Sequence, residues 1–288
     1  MQKIIVTGAG GQLGRELQIL ASAFPSIDFI FADRNQLPIT DPARISAFFD
    51  EHQPNWCINC AAYTAVDKAE SEKDAAFRIN GDAPGYLANA CRNTGARLIH
   101  ISTDYVFDGS SATPLKEDDG TAPLNIYGAS KLEGEKQALQ AHPDGTVIIR
   151  TSWVYSEFGN NFVKTMIRLM TERPAINVVD DQIGSPTYAA DLAAAILQII
   201  TGPHFVPGTY NYSNEGEISW YEFALAIRKL IGSSCTVGPI ASANYPTPAR
   251  RPHYSLLDKT LIKKTYGLSI PGWLSSLTTC IGRLTTNP

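Results

Sequence analysis

Short apolar runs alternate with helical patterns over the first 151 residues of this chain. The runs are five to seven residues long and rich in β-branched residues, which is typical of strands buried on both faces of a parallel sheet. They are KIIVT (3–7), DFIFA (28–32), WCINCAA (56–62), RLIHIS (97–102) and TVIIRT (146–151). Because strands and helices alternate with short connections, the sequence predicts an α/β fold built on a doubly wound parallel sheet.

The segments between these runs carry helix signals. Asp41 and Pro42 have the order of an N-cap followed by a proline in the first helical turn. A longer helical segment occupies residues 74–95 and ends near Gly95, because glycine favours the backbone conformation that closes a helix.

The pattern is less regular after Arg150. Helical stretches lie near 161–171, 189–200, 219–231 and 258–265, and short strands near 176–179 and 209–212, between loops rich in Gly, Pro, Ser and Asn. We therefore predict a dinucleotide-binding domain of residues 1–152 and a smaller substrate-binding lobe of residues 153–288. Part of this lobe is expected to pack back on the main sheet.

A glycine-rich turn follows the first strand and opens the first helix. Its glycines at 8, 11 and 14 give the spacing G-x-x-G-x-x-G, which differs from the commoner G-x-G-x-x-G because Leu13 occupies the position of the third glycine. Gly8 permits a tight turn, Gly11 lets the backbone approach a pyrophosphate, and Gly14 allows the helix to pack close to the strand. This placement predicts dinucleotide binding at the helix N-terminus.

The end of the second strand predicts how the cofactor ribose is recognised. Asp33 lies about twenty residues beyond the glycines, where a carboxylate accepts hydrogen bonds from the ribose hydroxyls and favours NADH. Arg34 is able to pair with the 2′-phosphate of NADPH. We therefore expect the cofactor to be NADPH or NADH, with both used.

Tyr127 and Lys131 have the spacing Y-x-x-x-K at the predicted start of a helix. Residues four apart share a helix face, so the lysine can lie near the phenol. A nearby ammonium favours the phenolate, and we expect it to lower the pKa of Tyr127 towards neutrality, as suits a general acid. Ser102 and Thr103 end the fourth strand at the sheet edge where ligands bind, and a hydroxyl there could hold a substrate carbonyl.

Charge and hydropathy narrow the range of partners. The formal net charge of −4 gives no general attraction to nucleic acid or to an anionic membrane, so we expect a small-molecule partner. No apolar run reaches the roughly 18 residues that a membrane span needs, and the N-terminus lacks a signal-peptide pattern. The chain is expected to be cytoplasmic.

The cysteines and histidines predict neither a disulfide framework nor a metal site. Five cysteines are an odd number, which suits reduced thiols. Cys57 and Cys60 match C-x-x-C, but residues three apart on a strand point to opposite faces and cannot share a metal. His100 lies in a buried strand run and is expected to be structural. No two of the five histidines have metal-ligand spacing, so we expect no metal site.

These motifs together resemble the extended short-chain dehydrogenase/reductase family, whose nucleotide-binding fold is Rossmann-like. The resemblance covers nearly the whole chain and is most specific through residue 192. It is carried by the glycine turn and by NCAAYTAVDKAE, STDYVFDG, YGASKLEGE, RTSWVYSEFGNNFV and DQIGSPTYAADLA. Beyond residue 192 the main match is RRPHYSLLD.

The resemblance implies reduction of the C4 ketone of a dTDP-linked 4-keto-6-deoxyhexose by NAD(P)H. Tyr127 would protonate the C4 oxygen, Lys131 would lower the phenol pKa and hold the nicotinamide ribose, and Thr103 would hydrogen-bond the reacting oxygen. Further cofactor contacts are implied for Gly8, Gly11, Gln12, Leu13, Gly14, Asp33, Arg34, Ala61, Ala62, Tyr63, Thr64 and Ser102. Sugar-nucleotide contacts are implied for Asp104, Tyr105, Trp153 and Arg251.

One residue departs from the pattern of the similar proteins. Pro38 stands where they often have an acidic residue near the adenine.

This interpretation has alternatives. They are a non-catalytic binding or regulatory protein on the same scaffold, or another sugar-nucleotide reductase or epimerase. Intact Thr103, Tyr127 and Lys131 favour an enzyme. The exact sugar, the nucleotide base, a possible homodimer and a metal ion at its interface are left open by the sequence.

Overall fold

The computed structural model describes residues 1–286 of the chain, and its first half alternates strands and helices as predicted. The strands are β1 (Gln2–Thr7), β2 (Ile27–Ala32), β3 (Trp56–Asn59), β4 (Arg97–Thr103) and β5 (Thr146–Thr151). The helices are α1 (Gln12–Ala21), α2 (Pro42–His52), α3 (Val66–Ala69), α4 (Lys73–Phe77), α5 (Ala83–Thr94) and α6 (Ile126–Ala141).

The second half contains longer helices between short strands. Its strands are β6 (Val154–Tyr155), β7 (Ala175–Val179), β8 (Ile183–Gly184), β9 (Thr187–Tyr188), β10 (Gly208–Asn211), β11 (Ile218–Ser219) and β12 (Thr236–Ile240). Its helices are α7 (Phe162–Glu172), α8 (Ala189–Thr201), α9 (Trp220–Leu230), α10 (Thr260–Tyr266) and α11 (Trp273–Thr286). The helix α11 and the strand β12 were not predicted from the sequence.

The central sheet has six strands in the order β2-β1-β3-β4-β5-β10, and all of its pairings are parallel. The predicted doubly wound parallel sheet is therefore confirmed. The chain moves outward in opposite directions from β1 and β3, and ligands of such sheets bind at this switch point, beyond the carboxyl ends of the strands. The sixth strand, β10, comes from the second half of the chain.

Two hydrophobic cores lie on the two faces of this sheet. Leu17 of α1 and Ile196 of α8 are buried in the first core, with Ile4 of β1. Phe49 of α2 and Leu87 of α5 are buried in the second. Because every central strand is covered on both faces, its sequence is apolar throughout rather than alternating.

A third core holds the second half of the chain together. Tyr155, Val163 and Phe223 are buried there, and Leu277 and Cys280 of α11 complete it. Short strand pairs, β7 with β12 and β8 with β11, surround this core. The predicted division after residue 152 stays a prediction.

Two predicted elements differ from the structure in their bounds. The third strand ends at Asn59 rather than at residue 62, because Asn59 turns the chain by accepting a hydrogen bond from the amide of Ala61 (3.2 Å). The long helical segment 74–95 is interrupted by a π-helical turn over Arg78–Asp82. Its end is as predicted, since Gly95 has a positive φ of 73°.

The cysteines and the helices bear on disulfides and on membrane spans. All five cysteines are free, with Cys57 in β3 and Cys60 just beyond its end. Among residues 1–286, no helix is both long enough and apolar enough to cross a bilayer.

Candidate active site

A cleft of about 1220 Å³ opens beyond the carboxyl ends of the central strands. Most of the predicted site residues line it, namely Gly8, Gly11, Gln12, Leu13, Asp33, Arg34, Ala61, Ala62, Thr64, Ser102, Thr103, Asp104, Tyr105, Tyr127, Lys131 and Trp153. The cleft therefore brings together side chains from both halves of the chain.

The glycine turn forms one end of the cleft and depends on missing side chains. Gly8 has a φ of 66°, and a Cβ there would lie 2.6 Å from the backbone nitrogen of Ala61. A Cβ at Gly14 would lie 2.5 Å from the carbonyl oxygen of Gly8. Gly11, the N-cap of α1, provides no side-chain cap, so the first amides of the helix face the cleft without one. An uncapped helix N-terminus of this kind suits an anion such as a pyrophosphate.

Asp33 lies at the end of β2, at the edge of the cleft. Its Oδ1 accepts hydrogen bonds from the amides of Asn35 (2.8 Å) and Gln36 (3.0 Å), which hold the carboxylate in place. Arg34 is exposed beside it and also lines the cleft.

Tyr127 is held at the start of α6 by the side chain of Asn125. The Oδ1 of Asn125 accepts from the amide of Gly128 (2.8 Å), and its Nδ2 donates to the carbonyl oxygen of Arg250 (2.7 Å). The edge of the Tyr127 ring meets the ring of Tyr105, with 5.8 Å between centroids. The start of α6 that carries the tyrosine is thus bound to both halves of the chain.

The protonation of Tyr127 differs from the sequence expectation. Burial raises the pKa of its phenol to about 12, a hydrogen bond with Thr103 lowers it, and the charge of Asp104 raises it. The predicted decrease towards neutrality through Lys131 is therefore wrong for this structure, because burial outweighs the effects that stabilise the phenolate. The phenol holds its proton at neutral pH.

Lys131 lies on α6 one turn beyond Tyr127, and only 1% of it is exposed. Its Nζ donates to the carbonyl oxygen of Ile101 (2.6 Å) and lies 3.4 Å from Nε2 of His100. Burial lowers the pKa of Lys131 to about 8, while the charge of Glu135 raises it.

Ser102 and Thr103 end β4 beside the tyrosine. The hydroxyl of Ser102 donates to Oε1 of Glu135 (2.5 Å), and Oε2 of the same carboxylate forms an ion pair with Nη2 of Arg150 (2.7 Å). The hydroxyl of Thr103 donates to Oδ1 of Asp104 (3.0 Å). Burial raises the pKa of the Asp104 carboxyl to about 6, against hydrogen bonds from Ser255 and Thr103 that lower it.

An aromatic wall closes the opposite side of the cleft. Trp153 has a φ of 51°, a conformation that non-glycine residues seldom adopt, and its ring stacks on Trp220 with 3.6 Å between centroids. Phe162 packs against Trp220, with 4.5 Å between their ring centroids. A Cβ at Gly184 would lie 3.0 Å from the Trp153 ring.

Three predicted residues do not line the cleft. Gly14 packs behind the turn. The hydroxyl of Tyr63 donates to Oε2 of Glu72 (2.7 Å). Arg251 is bound to Asp67 through Nη1 to Oδ1 (3.1 Å) and Nη2 to Oδ2 (2.9 Å).

Several cleft residues were missed by sequence reasoning. Arg78 reaches the cleft from the π-helical turn, and Trp220 reaches it from the start of α9. Phe162, Gly159 and Asn160 also line it, and they lie within FGNNFV, a segment already noted for its resemblance. That segment was the available signal, whereas nothing near Trp220 indicated a site.

No group of three or more His, Cys, Asp or Glu side chains within residues 1–286 is arranged to hold a metal ion.

Comparison with known proteins gives full-length matches. A family model described as RmlD substrate binding domain matches residues 1–286. A dTDP-4-dehydrorhamnose reductase from Aggregatibacter actinomycetemcomitans is 42% identical over 287 residues, covering 96% of this chain and 97% of the relative.

Solved structures match equally well. The structure of a dTDP-4-dehydrorhamnose reductase from Clostridium acetobutylicum has a TM-score of 0.95 at 42% identity and covers 99% of this chain and 100% of that chain. The structure from Bacillus anthracis, solved in complex with NADP, has a TM-score of 0.93 at 41% identity and covers 98% of this chain and 100% of that chain.

Proposed function

This chain belongs to the dTDP-4-dehydrorhamnose reductase family, and on that premise we propose that it reduces the C4 ketone of dTDP-4-dehydro-L-rhamnose to dTDP-L-rhamnose. The reduced cofactor is NADPH or NADH. The observation that carries the proposal is the position of Tyr127, a half-buried and protonated phenol on the wall of the cleft that also contains the glycine turn.

The residues of the cleft fit a dinucleotide. The turn at Gly8 and Gly11 and the uncapped start of α1 would bind its pyrophosphate, and Asp33 would bind the adenosine ribose. Lys131 would bind the nicotinamide ribose. Leu37 and Pro38 provide an apolar surface at the same end of the cleft, in place of the acidic residue expected near the adenine. When bound, the reduced nicotinamide supplies a hydride to C4 of the sugar.

The proton comes from Tyr127. As C4 accepts the hydride, its double bond to oxygen becomes a single bond, and the developing alkoxide takes the phenolic proton. Burial keeps the phenol protonated until a base as strong as an alkoxide is present. The hydroxyl of Thr103 lies beside the phenol and would hold the C4 oxygen during this transfer.

The sugar nucleotide would occupy the half of the cleft between β4 and the aromatic wall. Asp104 and Tyr105 present polar groups there, and the paired rings of Trp153 and Trp220 offer a flat apolar surface. Such rings suit the faces of a sugar or a base. Arg251 would bind the diphosphate after exchanging its contact with Asp67.

The reaction can be tested with purified protein, NADPH or NADH, and dTDP-4-keto-6-deoxy-L-mannose. We expect the absorbance of the reduced cofactor to fall, and NMR of the product to show dTDP-L-rhamnose. The Tyr127→Phe variant serves as the control for adventitious reduction. Tight binding of both ligands without turnover would instead indicate a non-catalytic binding protein.

The specificity of the reaction can be tested in the same assay. A UDP-linked substrate distinguishes recognition of the base from recognition of the sugar. An epimerase would interconvert sugars without net loss of reduced cofactor. A homodimer remains a prediction, to be checked by the mass of the protein in solution.

A further inference from the structure

His100 lies at the centre of β4 and is completely buried. The proposed reaction gives it no role, yet its two ring nitrogens contact polar side chains on both sides. Nδ1 lies 2.9 Å from Nδ2 of Asn59, and Nε2 lies 3.4 Å from Nζ of Lys131.

The hydrogen bonds of Asn59 determine which nitrogen of His100 carries a proton. Its Oδ1 accepts from the hydroxyl of Thr7 (2.6 Å) and from the amide of Ala61 (3.2 Å). A backbone amide can only donate, so the oxygen of Asn59 must face Ala61 and the nitrogen must face His100. That nitrogen is a donor, and Nδ1 of His100 is therefore the acceptor.

The histidine is neutral and carries its proton on Nε2. Burial lowers the pKa of His100 well below its usual range, and the charge of Lys131 lowers it further. A neutral imidazole has one donor and one acceptor nitrogen. Since Nδ1 accepts, the Nε2–H bond is directed at Lys131.

These hydrogen bonds favour the neutral amine of Lys131 over its ammonium form. A neutral amine can donate to the carbonyl oxygen of Ile101 and accept from the Nε2–H of His100 at the same time. An ammonium has no lone pair, so it satisfies Ile101 but faces the donor of His100.

Other charged groups near Lys131 act in the opposite direction. Glu135 on the same helix favours the ammonium, but its carboxylate is shared with Arg150 of β5. Cys60, just beyond β3, is a thiol whose pKa is raised by burial, so it stays neutral and adds no charge near Lys131. Tyr127 precedes Lys131 by one helical turn and holds its own proton.

We propose that His100 is a positioning residue whose Nε2–H stabilises the neutral amine of Lys131, so that Lys131 can release a proton near neutral pH. This inference rests on the proposed function in one respect, the use of that proton. After each reduction the phenolate of Tyr127 needs a proton. An N–H bond of Lys131 would break as the O–H bond of Tyr127 forms, and the amine would regain a proton from water.

Heteronuclear NMR of isotope-labelled histidine tests the tautomer in the wild-type protein. We expect His100 to carry its proton on Nε2 across the neutral pH range. A proton on Nδ1, or a doubly protonated ring, would overturn the proposal, and this measurement requires no variant to fold.

The protonation of Lys131 is tested by NMR titration of its labelled side chain in the wild type and in His100→Gln. A glutamine can turn its amide oxygen towards the ammonium, so we expect the titration midpoint of Lys131 to rise by about one pH unit or more. His100→Asn is a second variant, too short to reach Lys131 but able to accept from Asn59, and it should also raise the midpoint. An unchanged midpoint in both would overturn the proposal.

Cys57→Ala is the matched control, because Cys57 is buried in the neighbouring strand, paired with Leu98 and on the same face of the sheet as His100. It should lower the melting temperature without moving the Lys131 titration. If His100 has only a structural role, His100→Gln and His100→Asn should likewise lower the melting temperature without moving the Lys131 titration.

Turnover separates this inference from the proposed function. With substrate, the alkaline decrease of kcat should move to higher pH in His100→Gln by the same amount as the Lys131 titration. If no substrate is reduced but the titration shifts, the proposed function fails while the effect of His100 on Lys131 stands. If turnover is normal and neither the titration nor the pH profile moves, the inference about His100 fails alone.

Discussion

The guanidinium group of Arg251 forms two hydrogen bonds with the carboxylate of Asp67, a residue 184 positions away in the sequence. Asp67 lies in α3, directly after Val66 at the cleft, and Arg251 lies in the loop before α10. The hydrogen bond from Arg251 lowers the pKa of the Asp67 carboxyl, so this pair is charged at neutral pH. The diphosphate of a sugar nucleotide would compete with Asp67 for the same guanidinium.

We predict that Arg251→Ala raises KM for the sugar nucleotide about tenfold while lowering kcat much less. Loss of a ground-state phosphate contact of roughly 1.4 kcal/mol has this effect. Asp67→Asn weakens the competing partner and should lower KM. Steady-state kinetics measure both, with the exposed neighbour Arg250→Ala as control. An unchanged KM in Arg251→Ala would leave the pair with a structural role only.

Removal of the Tyr127 hydroxyl should abolish proton donation and little else. We predict that Tyr127→Phe lowers kcat by at least about a hundredfold and leaves cofactor affinity nearly unchanged, because a general acid contributes to the transition state. Calorimetric cofactor titration and turnover measure the two quantities. Tyr266→Phe, in α10, is the control for loss of a phenol elsewhere. Near-normal turnover in Tyr127→Phe would show that another group donates the proton.

The choice of cofactor should depend on Asp33 and Arg34. The carboxylate accepts hydrogen bonds from a free ribose but repels a 2′-phosphate, whereas the guanidinium attracts that phosphate. We predict that NADH and NADPH are used with kcat/KM values within about a factor of ten, or roughly 1.4 kcal/mol. Arg34→Ala should shift preference towards NADH and Asp33→Ala towards NADPH. The exposed Arg44 of α2 provides the control substitution.

If the wild type used one cofactor strictly, or if both variants kept its preference, Asp33 and Arg34 would not determine recognition of the ribose. Arg78, which also lines the cleft, would then be the next cation to substitute.

The buried carboxyl of Glu16 should make stability depend on pH. Burial raises its pKa to about 8, and a hydrogen bond with Glu157 raises it as well. An unfolded glutamate titrates near 4.3, so between about 4.3 and 8 the folded chain binds a proton that the unfolded chain has lost. Folding stability from this group therefore falls as pH rises through that interval.

Glu16→Gln mimics the protonated carboxyl and isolates this effect. At pH 4 the variant and the wild type should melt at similar temperatures, whereas at pH 8.5 the variant should melt roughly 3 °C higher or more. Thermal unfolding at the two pH values measures the difference, with the exposed Glu51→Gln as control. Equal melting temperatures at pH 8.5 would show that the wild-type carboxylate is not destabilising.

The sequence predicts an element correctly where its local pattern of apolar and polar residues matches the burial of those residues in the structure. β1, β2 and β5 match their apolar runs to within one residue, because strands covered on both faces must be apolar throughout. The start of α2 was predictable since Asp41 caps the amides of Ala43 and Arg44 within the same segment.

The parts that escaped sequence reasoning depend on distant residues. WCINCAA is apolar except for Asn59, and the strand stops there because the side chain of Asn59 accepts from the amide of Ala61. The same side chain also bonds Thr7 and His100 on neighbouring strands. The spacing of Tyr127 and Lys131 predicts a shared helix face. It does not indicate how deeply the phenol is buried, and burial decides its pKa.

The origin of β10 has a consequence for how the chain is made. The strand β5 is flanked by β4 from the first half and by β10 from residues 208–211, so its outer edge stays unpaired until the ribosome has released that later segment. During synthesis a nascent chain ending near residue 152 would therefore present an apolar strand edge, together with the face of α1 that α8 later covers. A fragment of residues 1–152 should accordingly aggregate. A fragment of residues 1–212 is shorter than the full chain but includes β10, so it contains all six strands of the central sheet.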